Sequence, residues 1–177
     1  MKARSTLGLI LFLTLGVASL AAADKGFAGT WKLDPGESAV QEMYPETVPE
    51  ITLAIEMDGA KLILRRKTVM PQGGERTTLQ TLTRDGKESL NAGESFKDLK
   101  SVCRMESGKI LISGEREGVM MTIAGGGEPE TEYFRYAFEE EYSLSADGSV
   151  LTVIQKMQMP DGQKTMTLVF DRAPVEP

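Results

Sequence analysis

The chain has 177 residues, with 20 lysines and arginines against 26 aspartates and glutamates, no histidine and one cysteine. Without histidine, Ser-His-Asp and Cys-His nucleophiles in their usual forms and His-ligated zinc are excluded, so any catalysis must rest on carboxylates, Lys, Arg or Tyr. A net charge of −6 repels nucleic acid and anionic membrane, so neither is an expected partner.

The first expected element is a leader. Lys2 and Arg4 form a basic head, Leu7 to Leu20 is an uncharged and mostly apolar run, and Ala21 to Ala23 supply small residues where a signal peptidase cuts. Residues 1–23 therefore read as a secretory signal peptide. A transmembrane anchor needs a longer run, of ~20 residues. Cleavage before Asp24 leaves no cysteine at the new terminus, so a lipid anchor is not expected. Residues 24–177 are expected as a single exported domain, periplasmic or extracellular, large enough to bury a core without a disulfide. Cys103, between Val102 and Arg104, reads as a buried, inert thiol, with an intermolecular disulfide as the alternative.

Beyond the leader, turn signals recur at Asp58-Gly59, Pro71 to Gly74, Asp85-Gly86, Asn91 to Gly93, Ser107-Gly108, Gly125 to Pro129, Asp147-Gly148 and Asp161-Gly162. Asp or Asn before Gly suits tight hairpins. The runs between them alternate apolar with polar residues. Ile51, Leu53, Ile55 and Met57 share one face; Ile110 and Ile112 oppose Leu111 and Ser113; Met166, Leu168 and Phe170 fall together. Period two predicts strands over 27–33, 50–57, 60–69, 75–84, 98–105, 109–118, 132–144, 149–158 and 164–172. Strands of about ten residues reach ~33 Å, longer than the usual ~17–20 Å. Sequential long hairpins predict an all-β, antiparallel up-and-down meander of eight to ten strands closed as a barrel, with a β-sandwich as the alternative. An outer-membrane barrel needs an apolar outer face with aromatic girdles, and "LRRKT", "GEREG" and "FEEEY" put charge on both faces instead.

Gly29-Thr30-Trp31 on the first strand resembles the G-x-W signature of lipocalins and their fatty-acid-binding relatives. "GTWKLDP", "YSLSADGSVLTV" and the closing "FDR" are similar to small secreted bacterial proteins described as lipocalin-like. The resemblance runs from about Phe27 to Ala173. It implies a barrel in which Arg172 packs across Trp31, and a long first loop, Asp34 to Pro49, folded over the open mouth. The T-D-Y motif and the disulfides of classical lipocalins are missing. Physically, a large flat ring starting the first strand can plug one end of a barrel, Gly29 lets the backbone approach it, and an arginine over the ring adds ~0.5–2 kcal/mol. The plain alternatives are an ordinary core tryptophan beside a solvated arginine, and a proline-ordered surface loop.

One position breaks the apolar pattern. In "EYFRYAFEEEYSL", Phe134, Tyr136, Phe138, Tyr142 and Leu144 share a face, and Glu140 falls on it. A carboxylate there must pair or take a proton. In "KLILRRKTV", Leu62, Leu64 and Arg66 share a face. Arg66, Tyr136, Glu140 and Tyr142 are therefore the candidate binding residues, a polar cluster inside the barrel that orients a ligand head group. A bulge that turned Glu140 outward would instead leave a charged edge. Methionines such as Met57, Met70, Met105, Met120, Met121, Met157 and Met159 suit either an adaptable cavity or simple gap filling.

These residues point first to a binding module for a small apolar or amphipathic ligand. A packed barrel that works through its loops, Asp34 to Pro49 or Gly125 to Glu132, as an interaction or inhibitor protein is the alternative. A carboxylate enzyme built on Glu140 lacks the paired carboxylates it needs. No cofactor is implied, and no acidic segment matches a metal-binding loop.

Overall fold

The computed structural model describes residues 26–40, 44, 47–93, 96–122 and 130–174. The expected leader, residues 1–23, lies outside them, as do parts of the loops over 34–49 and 125–132. Among the described residues no helix is long and apolar enough to cross a membrane.

Among the described residues the nine period-two runs and one further segment form ten strands: β1 (Gly29–Leu33), β2 (Glu50–Asp58), β3 (Lys61–Val69), β4 (Glu75–Thr83), β5 (Asp85–Gly93), β6 (Phe96–Glu106), β7 (Lys109–Thr122), β8 (Glu130–Leu144), β9 (Val150–Met159) and β10 (Gly162–Arg172). They form one sheet in the order β4-β3-β2-β1-β10-β9-β8-β7-β6-β5. The first strand meets the last, with Trp31 opposite Arg172 and Leu33 opposite Phe170. The meander thus curls into a barrel, and a two-sheet sandwich is not formed.

Closure is incomplete between β4 and β5, the two ends of the sheet order. There side chains replace the backbone ladder. Asn91 Oδ1 accepts from the Thr81 amide at 2.7 Å, and Ser89 Oγ accepts from the Thr83 amide at 3.1 Å. Such bridges cover the exposed backbone groups that an open sheet edge would present.

β5 is missing from the sequence reading, which placed no strand between 84 and 98; the turn signals Asp85-Gly86 and Asn91 to Gly93 fall at its two ends. Its run DGKESLNAG holds one large apolar residue, Leu90, which is exposed. No alternating apolar face announces it. It forms by pairing with β6, and its turn-forming residues sit where the register shifts, between Asp85 and Glu88 and between Asn91 and Gly93.

Elsewhere the alternation sets the core. Ile51, Leu53, Ile55, Leu62, Leu64, Ile110, Ile112, Leu151, Val153, Leu168 and Phe170 are buried. Cys103 is buried too, and burial pushes its thiol up to about 11. After β1 the chain makes a five-residue excursion and rejoins β10, where Ala39 pairs with Thr167. The Ser38 hydroxyl bridges the interruption, accepting from the Val169 amide at 2.9 Å. Val40 then enters the core, and Tyr44 follows at the cavity wall.

Candidate functional site

The barrel has a floor and a hollow above it. At the floor Trp31 is fully buried, and its Nε1 donates to the Phe27 carbonyl at 3.0 Å. The Arg172 guanidinium lies 4.1 Å over the ring. Its N–H groups go to the carbonyls of Ala28 (2.9 Å), Gly148 (3.1 Å) and Gly26. Gly29 has φ 138°, and a Cβ there would stand 2.9 Å from Arg172 Nη1. A side chain at that position would push the arginine off the ring, which is the close approach expected of Gly29.

Above the floor is a cavity of about 330 Å³. One side is apolar, with Ile51, Leu53, Leu64, Met157, Met166 and Leu168. The other side is polar, and half of its described residues come from two neighbouring strands: Arg66 and Thr68 on β3, and Arg76, Thr78 and Gln80 on β4. Alternation explains the grouping, since Arg66 lies opposite Thr78 and Thr68 opposite Arg76. Tyr44, Met70, Arg116, Tyr136, Tyr142 and Gln155 complete the wall.

Glu140 lies behind that wall with its side chain fully shielded from solvent. Its Oε1 accepts from Arg116 Nη2 at 2.8 Å and from Gln155 Nε2 at 2.7 Å; its Oε2 accepts from the Tyr142 hydroxyl at 2.7 Å. Arg66 Nη2 stands 3.8 Å from Oε1, an ion pair too long for a hydrogen bond. Burial opposes the charge on Glu140, but Arg116, Arg66 and the Tyr142 hydroxyl outweigh it, and the carboxyl is held below its ordinary value. Burial and the facing Glu140 carboxylate push the Tyr142 phenol up, so it stays a donor. Desolvation is the largest influence on Arg66 and lowers it, but Glu140, Tyr142 and Tyr44 together outweigh it, so the guanidinium is raised.

The structure thus brings Glu140, Tyr142 and Arg66 together. Tyr136 stands on the same cavity wall, opposite Arg116 in register, and packs on Phe134 with ring centroids 5.9 Å apart. Two members of the cluster were not singled out in the sequence. Arg116 follows Ile110, Ile112 and Gly114 at period two, and Gln155 follows Leu151 and Val153; extending those alternations finds both. Arg116 also lies 3.8 Å over the Phe138 ring. Of the methionines, Met70, Met157 and Met166 reach the cavity. The side chains of Met120 and Met121 lie outside the described residues.

Chemically, the cluster stores charge and does not move protons. A carboxylate that accepts three hydrogen bonds and is held ionised is a weak base with no proton to give at neutral pH. Among the described residues the cavity lining carries Arg66, Arg76 and Arg116 and no acid. Arg66 and Arg116 together carry more N–H groups than Glu140 has acceptor sites, so the polar side of the cavity suits an acceptor-rich, anionic group. A second hollow, of about 450 Å³, lies on the outer face of β6 to β9. Arg104, Glu106, Glu139, Glu141 and Lys156 give it charges of both signs.

No protein-family model and no curated protein sequence matches the chain. Solved structures do match. A REP1-NXSQ fatty acid transporter aligns with a TM-score of 0.55 at 16% identity, over 84% of this chain and 97% of that one. Apo lipid binding protein 8 of Caenorhabditis elegans aligns at 0.54 and 14% identity, over 84% and 96%. Zebrafish ileal bile acid-binding protein, complexed with cholic acid, aligns at 0.51 and 14% identity, over 84% and 99%. The chain shares the antiparallel barrel fold of these structures.

Proposed function

We propose that the chain is an exported barrel protein that binds a small amphipathic molecule with an anionic head group. The observation that carries this reading is the composition of the interior wall among the described residues: three arginines and no acid, facing Ile51, Leu53, Leu64, Met157, Met166 and Leu168 across about 330 Å³. Ligand pockets of that size and character begin at about 300 Å³. The apolar body of the ligand lies among the aliphatic and methionine side chains, and its head group meets Arg66. Gln155 holds the Glu140 carboxylate, which in turn holds Arg116 in place. Glu140 also keeps the guanidiniums from destabilising the empty barrel by mutual repulsion.

Support comes from structures of the same fold, whose names refer to a fatty acid, a lipid and cholic acid. Export rests on the leader over residues 1–23, and a single mature domain over 24–177 rests on the unbroken meander. A cavity of this volume weighs against an interaction protein with a solid interior.

Native mass spectrometry of the protein purified without added ligand tests the reading. The expected result is a bound acid released on denaturation, together with displacement of a fluorescent fatty-acid probe by simple amphipathic acids. A protein found only at its own mass, and blind to the probe, overturns it. Fractionation of expressing cells tests export: the full chain should leave the cytoplasm, and a chain starting at Asp24 should not.

A further inference from the structure

Four side chains on β3 and β4 form a two-by-two patch on the cavity wall: Arg66 lies opposite Thr78, and Thr68 opposite Arg76. The two arginines are therefore diagonal neighbours, with Cα atoms about 7–8 Å apart, close enough for such long side chains to share one ligand. All four carry hydrogen-bond donors, and all four line the cavity.

Arg116 reaches the same region from β7. Its Nη2 and that of Arg66 approach one oxygen, Glu140 Oε1, at 2.8 and 3.8 Å. Arg76 is the most exposed of the three. Partial burial still lowers its guanidinium; Tyr136 and Tyr44 offset part of that, and the charges of Arg116 and Arg66 add to it. Arg76 thus lies in the field of both other arginines. Glu140 sets one negative charge against these three positive ones, so among the described residues the wall keeps a surplus of two. A carboxylate head group answers half of that surplus and offers two oxygens. A phosphate monoester brings up to two charges and three terminal oxygens on one compact centre.

We infer that the head group this site takes is a doubly charged phosphate monoester on an apolar body, gripped by Arg66 and Arg76, with Thr68 and Thr78 adding hydroxyl donors. The inference rests on the function proposed above and names its ligand class. Arg76 is then the residue that tells a phosphate from a carboxylate.

Displacement of a fluorescent fatty-acid probe is compared for dodecanoic acid, dodecyl sulfate and dodecyl phosphate, each below its micellar concentration, and for inorganic phosphate. The three amphiphiles have tails of nearly equal length. The sulfate matches the phosphate in terminal oxygens but carries a single charge. At about pH 8 dodecyl phosphate should bind tighter than either of the others by about tenfold or more. Inorganic phosphate, lacking the apolar body, should leave the probe in place. The second ionisation of a phosphate monoester lies at about 6, so its advantage over the sulfate should fade towards about pH 5. The sulfate keeps its charge throughout and corrects for titration of the protein. Arg76→Met, checked for native circular dichroism and melting, should lose most of the advantage, and Arg76→Lys should keep more of it. Wild-type protein that binds dodecanoic acid or dodecyl sulfate as tightly as dodecyl phosphate overturns the inference and leaves the proposed function standing. An advantage indifferent to pH, or one that survives Arg76→Met in full, also overturns it, as does equal displacement by inorganic phosphate. If none of the amphiphiles displaces the probe, the proposed function falls and this inference with it.

Discussion

The floor and the interior of the barrel each stack a guanidinium on an aromatic ring, and the two stacks do different things. At the floor, Arg172 lies 4.1 Å over Trp31 and gives its N–H groups to three backbone carbonyls of the segments that close the end. In the interior, Arg116 lies 3.8 Å over Phe138, and its partner is a buried carboxylate that also faces Arg66. Backbone carbonyls fix an arginine without adding charge. A shared carboxylate fixes one arginine and leaves its neighbour with donors still to offer. The first arrangement is a joint; the second is a site with capacity left over.

Substitutions can separate the two. The largest effect is expected from Glu140→Ala, which leaves Arg66 and Arg116 partly buried beside each other with no counter-charge. Loss of about 3–5 kcal/mol in urea unfolding is expected; a loss under about 1 kcal/mol would mean that the carboxylate does not hold the interior together. Trp31→Ala removes the plug and should cost about 3–5 kcal/mol as well. Arg172→Ala should cost less, about 1–2 kcal/mol, because that side chain is largely at the surface. It should leave probe affinity unchanged, and a large fall in affinity would dissolve the distinction drawn here. Arg66→Met should do the reverse, moving stability by under about 1 kcal/mol while weakening the binding of an anionic probe.

Acid sharpens the same contrast. The folded Glu140 carboxyl is held below its ordinary value of 4.5. Its contribution to stability is complete above that value and is lost as pH falls through the lowered folded one. Urea midpoints should therefore drop in acid, and the drop should be shallower in Glu140→Gln. An equal slope in both proteins would assign acid sensitivity to other carboxylates. The smallest effect concerns Cys103. With its thiol at about 11 and fully buried, it should resist alkylation at pH 8 until the protein unfolds.

The floor was legible in the sequence because its parts are adjacent to recognisable signals. Gly29 and Trp31 open the first strand, and Arg172 closes the last. The cluster was legible only in part. Alternation fixes which face a residue takes, and it put Glu140, Tyr142 and Arg66 on inward faces. It says nothing about which inward residues meet across the lumen. Arg66 on β3 and Glu140 on β8 lie five strands apart in the sheet order and touch only because the sheet curls. Arg116 sat among charges on both sides in "GEREG", and Gln155 and Gln80 were polar residues with no apolar contrast to mark them. β5 was hidden for a related reason: its residues read as turns, and its pairing with β6 is a tertiary fact.

The claim on which the account rests is that the interior arginines receive a negative charge. Isothermal titration of the wild-type protein and Arg66→Met with dodecanoic acid and with its methyl ester tests it most directly. Both ligands share the apolar body, and only one carries a charge. The account predicts that the wild type binds the acid tighter than the ester by about tenfold or more, and that the substitution erases most of the difference. Equal binding of acid and ester by the wild type would contradict it.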